Sequence, residues 1–301
     1  SDVKLKDQLF EAIGKRFDFE DKGILKYFLG MKVTRDREAH KMTLDMKAYI
    51  NDKLALFKLD GKRNYTTPLI KEDLIELGEP LEGAKATEHR AMVGALLWAT
   101  LVRPDICHAV GKLSQQMSKP TEGWFKQAQR CWQYLGGTSD QVLTYSCDGG
   151  NQEALMGVGY MFLPEGGECV ASGYVDANLK SPKSTTGLLF KLAGATVIAK
   201  SKMQPVTAIA TYDAEYYAMS SAMLVAIWFQ MLLKELTPLF ESKCGKCLIN
   251  GPMVVHGDNA AVVRMMQEKA ISNRARHIAL RWHHMMGAIK AGLVEPHSIS
   301  G

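Results

Sequence analysis

The sequence predicts an α+β protein, in which a largely helical first half precedes a mixed sheet with flanking helices. Apolar residues recur with helical spacing through most of residues 1–149. After about Gly149, short apolar segments separated by Gly, Pro and Ser follow one another, and a long helical segment then alternates with single strands. A length of 301 residues, 47% of them apolar, allows a core in each half.

The first predicted domain covers residues 1–149. Tyr27–Val33 reads as one compact strand, and Met42–Leu44 could pair with it as a hairpin. Gly136 and Gly137 are predicted to end the last helix as C-terminal glycines. The helices are predicted at Leu9–Phe17, Ala48–Phe57, Glu88–Leu101, Asp105–Met117 and Thr121–Leu135.

The second predicted domain covers residues 150–301. A long helix is predicted over Asp213–Leu236 with Thr211 as its N-cap, and further helix follows Asp258. The strands are predicted at Ala154–Leu163, Val170–Ala177, Gly187–Leu192, Ala195–Lys200, Val206–Ala210, Met253–His256 and Leu293–Ser298.

Composition narrows the function classes only slightly. A net charge of +5 permits nucleic-acid binding without requiring it. Six scattered cysteines indicate reduced thiols in an intracellular protein of unspecified compartment, and Cys244 and Cys247 lack the second ligand pair of a zinc knuckle. The longest apolar run, Ala222–Leu233, is expected to be a buried helix too short to span a bilayer, so no membrane partner is expected.

Three carboxylates stand where metal-dependent catalysis would place them. Asp176 lies in a strand, Glu215 in the first turn of the long helix, and Asp258 at a strand end with Asn259 available to cap the next helix. Clustered carboxylates repel one another unless divalent cations neutralise them, and two such cations about 4 Å apart support phosphodiester cleavage. Spacing alone leaves open an exposed turn residue, a helix-dipole partner and a strand-end cap.

The residues around these acids resemble the RNase H domains of copia-type (Pseudoviridae) retrotransposon Pol polyproteins. The resembling segments are Gly173–Ala177, Lys183–Gly187, Ala214–Ala218 with Trp228, Asp258–Ala261 and Arg274–Ile278. The first half resembles the family's reverse transcriptases, with Tyr27–Gly30 matching the primer-grip hairpin. Thumb and connection landmarks follow at Thr67–Leu69, Val93–Leu96, Arg103–Ile106 and Tyr134–Thr138. The resemblance implies an RNase H-like mixed sheet of five strands behind a helical thumb and connection.

Several departures from the family bear on activity. The polymerase palm is absent from this sequence, so the chain alone is not expected to polymerise. The family's fourth acidic position, directly after His277-Ile278, is Ala279, which should weaken one of two metal positions. Smaller departures are Asn178, Leu179 and Val225, and extra strand-like sequence at about Ala154 to Val170. Candidate substitutes or neighbours are Glu268, Glu295, His283 and His284.

Basic residues near the acids favour contacts with nucleic-acid phosphates, although a solvated face is an equal alternative. The candidates are Lys183, Arg274, Arg276, His277 and Arg281, with Lys180, Lys200 and Lys202 on the early strands or their turns. Helical spacing places Trp124, Trp132, Trp228 and Trp282 in the core instead of on a stacking surface.

Two functions follow from the resemblance. The sequence favours a catalytically impaired, retrotransposon-derived protein that binds RNA or an RNA–DNA hybrid, or that serves as a structural subunit among other proteins of a ribonucleoprotein assembly. The alternative is an active ribonuclease H, in which Asp176, Glu215 and Asp258 hold two Mg²⁺ ions; for the impaired protein, a site without bound Mg²⁺ stays open.

Overall fold

The computed structural model describes residues 7, 10–18, 20, 23–39, 41–146, 171–180, 183–244, 251–268 and 279–299. Three features from the sequence fall wholly or partly outside the described residues or side chains. They are the predicted strand Ala154–Leu163, the pair Cys244 and Cys247, and the predicted boundary after residue 149. The boundary therefore stays a prediction.

In its described residues, the first half combines one antiparallel sheet with helices. Its strands lie in the order β1-β2-β3-β4, and a core around the fully buried Trp132 joins sheet and helices. The elements are β1 Tyr27–Phe28, β2 Met31–Asp36, β3 Lys41–Asp45, α1 Lys47–Leu56, α2 Gly83–Ala99, α3 Cys107–Ser114, α4 Glu122–Gly137 and β4 Leu143–Ser146, with 3₁₀ turns at Glu72–Leu74 and Pro104–Ile106. Residues 10–14 are also helical. The helices predicted from periodicity are therefore confirmed, with shifted ends.

The segment Tyr27–Val33 is a hairpin, not the single strand that its apolar run predicts. Leu29 and Gly30 have φ values of 50° and 83°. Two successive positive φ values form the tight turn that joins antiparallel strands, so β1 folds back onto β2. The predicted pairing of Met42–Leu44 with this segment is confirmed, since β3 runs antiparallel to β2.

The interpretation of Gly136 and Gly137 as C-terminal caps is wrong. Both glycines lie within α4, which continues to Gly137. A Cβ at residue 136 would approach Leu54 Cδ1 to 2.9 Å, and one at residue 137 would approach Asn64 Cβ to 2.8 Å. The pair therefore permits close contact between α4, α1 and the loop that follows α1.

The second half is a five-stranded mixed sheet with the strand order β7-β6-β5-β8-β9. Strands β5, β6 and β7 are antiparallel neighbours, whereas β8 runs parallel to both β5 and β9. The elements are β5 Ser172–Asn178, β6 Thr185–Leu192, β7 Ala195–Met203, α5 Thr211–Cys244, β8 Met253–Gly257, α6 Ala260–Glu268, α7 Ala279–Lys290 and β9 Val294–Ser298. The predicted RNase H-like α+β fold class is confirmed.

Two local predictions at the start of α5 are wrong. Residues 206–210 form an irregular connection and no strand. Thr211 is the first helical residue, so it is not the N-cap. Ala210 precedes the helix, and its backbone N–H donates to Asp213 Oδ2 at 3.2 Å. A side chain in the first turn of the helix thus accepts from a backbone N–H that the helix itself leaves without an acceptor.

Helix α5 supplies most of the second core. Ala214, Ala218, Ala222 and Ala226 recur every four residues and are fully buried against the sheet. The 26 residues Thr211–Leu236 are long and apolar enough to cross a membrane, contrary to the expectation that the apolar run is too short. However, 61% of the most apolar window is buried inside the protein, as in a core helix.

A close contact inside this core leads to a stability prediction. Gly173 of β5 faces the buried Phe190, and an added Cβ would lie 2.5 Å from Phe190 Cε1. Gly173→Ala should therefore displace the ring and destabilise the protein by about 1–3 kcal/mol in urea unfolding. Gly187→Ala is the matched control in the neighbouring strand, because its Cβ would meet only Asp176 O at 3.9 Å. Equal losses in the two variants would contradict the prediction.

The two halves contact each other next to the strand that carries Asp176. Glu72 accepts from Lys112 at 2.9 Å and from Lys180 at 2.7 Å, and Lys180 follows the end of β5. Helix α3 also approaches β7 closely, since a Cβ on Gly111 would lie 2.8 Å from Ser201 O. These contacts tie the end of β5 to the helical half.

Candidate active site

Strands β5 and β8 and helix α5 bring the three predicted carboxylates together. Strands β5 and β8 are adjacent and parallel, and Val175 of β5 lies opposite Gly257 of β8. Asp176 directly follows Val175, and Asp258 directly follows Gly257. Glu215 lies in the first turns of α5, which contacts β5. One carboxylate oxygen from each acid lies within 4.8 Å of the other two. The fold thus assembles the predicted triad at one sheet edge.

The triad is electrostatically strained without a cation. Glu215 is only 8% exposed. Its burial, followed by the charges of Asp258 and Asp176, raises its pKa from 4.5 to about 7. Burial and the charge of Asp258 also raise the pKa of Asp176 above its usual 3.8. A hydrogen bond with the Ala177 backbone partly offsets both increases. A positive charge at this place would therefore relieve repulsion.

Polar side chains hold the triad's supporting elements in place. Asn259 Oδ1 accepts from the Val262 N–H at 3.2 Å, which confirms its predicted role as the cap of α6 directly after Asp258. The buried Gln204 was not predicted. Its Nε2 donates to Thr186 Oγ1 at 3.0 Å and to Ala214 O at 2.9 Å, beside Glu215. A single glutamine between a strand and a proline carries no sequence signal for such a role.

The fourth position begins a helix close to the one that carries Glu215. Ala279 is the first residue of α7. Two residues later, Arg281 Nη1 donates to Ser220 Oγ at 2.8 Å, and its guanidinium lies 3.9 Å from the centroid of the Tyr217 ring. The first turn of α7 therefore lies beside α5 shortly after Glu215.

Neither suggested substitute acid joins the triad among the described residues. Glu268 ends α6, and Glu295 in β9 forms an ion pair with His297 at 3.0 Å. His283 and His284 are exposed on α7. The described metal-capable cluster therefore contains three acids.

The structure describes only part of the predicted nucleic-acid surface. Lys183 is half-buried before β6, Arg281 is held against α5, and Lys180 forms an ion pair with Glu72. Lys200 and Lys202 are exposed on β7, which lies at the edge of the sheet. Arg274, Arg276 and His277 lie outside the described residues.

The predicted burial of the tryptophans holds for some positions only. Trp124 and Trp132 are buried, as predicted. Trp228 is 57% exposed, so its placement in the core is wrong. The side chain of Trp282 is outside the described part of the chain.

Comparison with known proteins finds relatives along nearly the whole chain. No protein-family model matches the chain. The "Retrovirus-related Pol polyprotein from transposon TNT 1-94" of Nicotiana tabacum is 28% identical over 292 residues, covering 93% of this chain and 20% of that protein. Its counterpart from transposon RE1 of Arabidopsis thaliana is 26% identical over 296 residues, covering 97% of this chain and 18% of that protein. Along nearly its whole length the chain is similar to these copia-type retrotransposon Pol polyproteins.

This Pol chain spans about a fifth of the length of these relatives. Among solved structures, LC11-RNase H1 in complex with an RNA/DNA hybrid is 15% identical to it, with a TM-score of 0.29, and the match covers 43% of this chain and 85% of that one. The predicted resemblance to retrotransposon Pol polyproteins is confirmed along nearly the whole chain.

Proposed function

We propose that this Pol chain binds RNA–DNA hybrids through an RNase H-like domain, residues 150–301, whose cleavage activity is impaired at Ala279. Residues 1–149 are the C-terminal part of the reverse transcriptase, with primer-grip hairpin, thumb and connection. The observation that carries the proposal is the converged triad of carboxylates, together with alanine at the first residue of α7, where the resemblance implies a fourth acid.

The triad suits a hard divalent cation. Asp176, Glu215 and Asp258 offer carboxylate oxygens, the ligand type that Mg²⁺ prefers. Burial, and then the charges of Asp258 and Asp176, raise the pKa of Glu215, so the ionised cluster is disfavoured unless a cation is bound. Mg²⁺ bound there would polarise a phosphodiester and activate water. The three acids would hold one cation well.

The alanine at position 279 limits what the site can do. A methyl group has no oxygen with which to ligate a cation, so a second cation would lack one protein ligand. Asp176 and Asp258 are exposed and would hold a cation where a substrate phosphate can approach, whereas Glu215 would hold it from a buried position. The residues therefore support binding and orientation better than fast cleavage.

Cationic side chains around the triad supply affinity for the hybrid's backbone. Lys183 precedes β6, the strand paired with β5, Arg281 lies in the first turn of α7, and Lys200 and Lys202 are exposed on the sheet edge. Arg274, Arg276 and His277 are proposed to extend this surface. Lysine and arginine contact phosphates irrespective of sequence, which suits a protein that recognises a hybrid by shape. Other protein subunits of a ribonucleoprotein assembly are proposed partners of the same chain.

The second candidate function is an active, Mg²⁺-dependent ribonuclease H. The specific observation in its favour is that all three oxygens already lie within 4.8 Å of one another.

A hybrid-binding and single-turnover cleavage experiment distinguishes the two. The full chain with Mg²⁺ should bind an RNA–DNA hybrid more tightly than a DNA duplex and cut its RNA strand only slowly. Asp176→Asn should abolish the residual cutting and leave binding in place, whereas Asp52→Asn, an exposed change on α1, should alter neither. Fast cleavage would establish the active enzyme, and equal affinity for both duplexes would refute the proposal.

A further inference from the structure

A buried glutamine connects the sheet to the start of the helix that carries Glu215. Gln204 directly follows β7 and is only 2% exposed. Its backbone N–H donates to Ser184 O at 2.8 Å, which extends the antiparallel pairing of β6 and β7 by one residue. Its side-chain Nε2 donates to Thr186 Oγ1 on β6 and to Ala214 O in the first turn of α5. One amide group therefore holds the first turn of α5 against the sheet.

A second hydrogen bond joins α5 to the sheet at the same level. The Ala177 backbone N–H donates to the Glu215 carboxylate. Ala177 lies opposite Thr186 in the pairing of β5 with β6. Asp176 directly precedes Ala177. The separation of the Asp176 and Glu215 carboxylates therefore depends on the two connections that Gln204 and Ala177 make.

We propose that Gln204 is a positioning residue for the cation site of the triad. This inference rests on the proposed binding of a divalent cation by Asp176, Glu215 and Asp258. Glu215 alone of the three lies on a helix, so its place depends on how α5 is seated on the sheet. Mg²⁺ accepts oxygen ligands only within a narrow range near about 2.0–2.1 Å. Side chains that orient metal ligands without touching the metal typically contribute about 10- to 100-fold in affinity.

A second buried glutamine on α5 separates positioning from stability. Gln230 is fully buried, and its Nε2 donates to Gly251 O at 3.0 Å. In the part of the chain that the structure describes, the Oε1 atoms of Gln204 and Gln230 are both buried without a hydrogen-bond partner. Gln230 lies about four turns after Glu215 along the same helix. The two glutamines are therefore alike in burial and bonding, but only Gln204 contacts the start of α5.

Titration of the full chain with Mn²⁺, followed by electron paramagnetic resonance of the free ion, tests the proposal. Gln204→Met keeps the length of the side chain and removes both of its donated hydrogen bonds. It should raise the Mn²⁺ dissociation constant by about 10-fold or more. Gln230→Met is the matched control, which should lower stability in urea unfolding as Gln204→Met does and leave Mn²⁺ affinity unchanged.

The outcomes separate this inference from the function on which it rests. Unchanged Mn²⁺ affinity in Gln204→Met, or an equal loss in Gln230→Met, would overturn the positioning role and leave the cation site in place. A wild-type chain that binds no Mn²⁺ would refute the cation site itself, and the positioning role with it.

Thr186→Val tests the path through which Gln204 acts, and it stays informative if Gln204→Met does not fold. The change removes the hydroxyl that accepts from Gln204 and keeps the shape of the side chain. Mn²⁺ binding should weaken, but less than in Gln204→Met, because the donation to Ala214 O remains. Adding Thr186→Val to Gln204→Met should cost no further affinity. An unchanged affinity in Thr186→Val, or a further loss in the double variant, would contradict the proposal; circular dichroism checks that each variant is folded.

Discussion

Ala279→Asp should increase single-turnover cleavage of an RNA–DNA hybrid by on the order of 100-fold, equivalent to about 3 kcal/mol of transition-state stabilisation. Position 279 begins α7, and Arg281 anchors the first turn of that helix to Ser220 and Tyr217 on the helix that carries Glu215. Under the proposed function, a carboxylate there would supply the oxygen ligand that a second cation needs. The measurement is the rate of RNA-strand cleavage in Mg²⁺ with enzyme in excess.

Two further variants test whether the gain in cleavage comes from the carboxylate charge at position 279 and from its action with the triad. Ala279→Asn has nearly the same size as the aspartate variant and no charge, so it should gain much less. Combining Ala279→Asp with Asp176→Asn should remove the gained activity, because the new carboxylate acts through the shared site. An unchanged rate in Ala279→Asp would contradict the assignment of the impairment to position 279.

Glu215→Gln should stabilise the protein at pH 8 without divalent cations by about 2–3 kcal/mol. The pKa of Glu215 is raised from 4.5 to about 7, so the folded state holds this proton more tightly than the unfolded state. The carboxyl therefore supports folding below pH 4.5, and that contribution is lost as pH rises through 7. Urea unfolding of both proteins in a chelator, at pH 4.5 and pH 8, should show a large difference only at pH 8.

Cation binding should reverse the stability difference between the wild-type protein and Glu215→Gln at pH 8. Mg²⁺ neutralises the repelling charges, so it should stabilise the wild-type protein more at pH 8 than at pH 6 and stabilise Glu215→Gln less. Glu268→Gln is the control, since Glu268 is an exposed acid outside the triad. If Glu215→Gln and Glu268→Gln respond alike at pH 8, the triad does not carry the repulsion described here.

Two kinds of feature could be predicted from the sequence: helices and strands with strong apolar periodicity, and acids near the ends of those elements. The long helix and the alternation of strands placed Asp176, Glu215 and Asp258 correctly, because parallel neighbouring strands and the helix that crosses them bring their ends to one edge. Asn259 was also identified correctly, since capping is a local interaction.

The wrong predictions concern features that depend on distant contacts. Gly136 and Gly137 look like helix terminators, but they are needed for the approach of Leu54 and Asn64, which lie more than seventy residues earlier. Leu29 adopts a positive φ that its side chain gives no reason to expect.

Helix α5 shows a second limit of sequence patterns. Both of its faces are apolar, so periodicity could not decide which one meets the sheet. The alanines at intervals of four residues pack inward, and Trp228 remains outside. The same apolar outer face explains why the helix is long and apolar enough for a membrane span while serving as a core element.

Counting bound Mn²⁺ ions by electron paramagnetic resonance, with hybrid present, tests the central claim most directly. A site with three carboxylates and alanine at position 279 predicts one firmly bound ion in the wild-type chain and none in Asp176→Asn. It predicts a second bound ion in Ala279→Asp. Two firmly bound ions in the wild-type chain, or one retained in Asp176→Asn with unchanged affinity, would contradict the account.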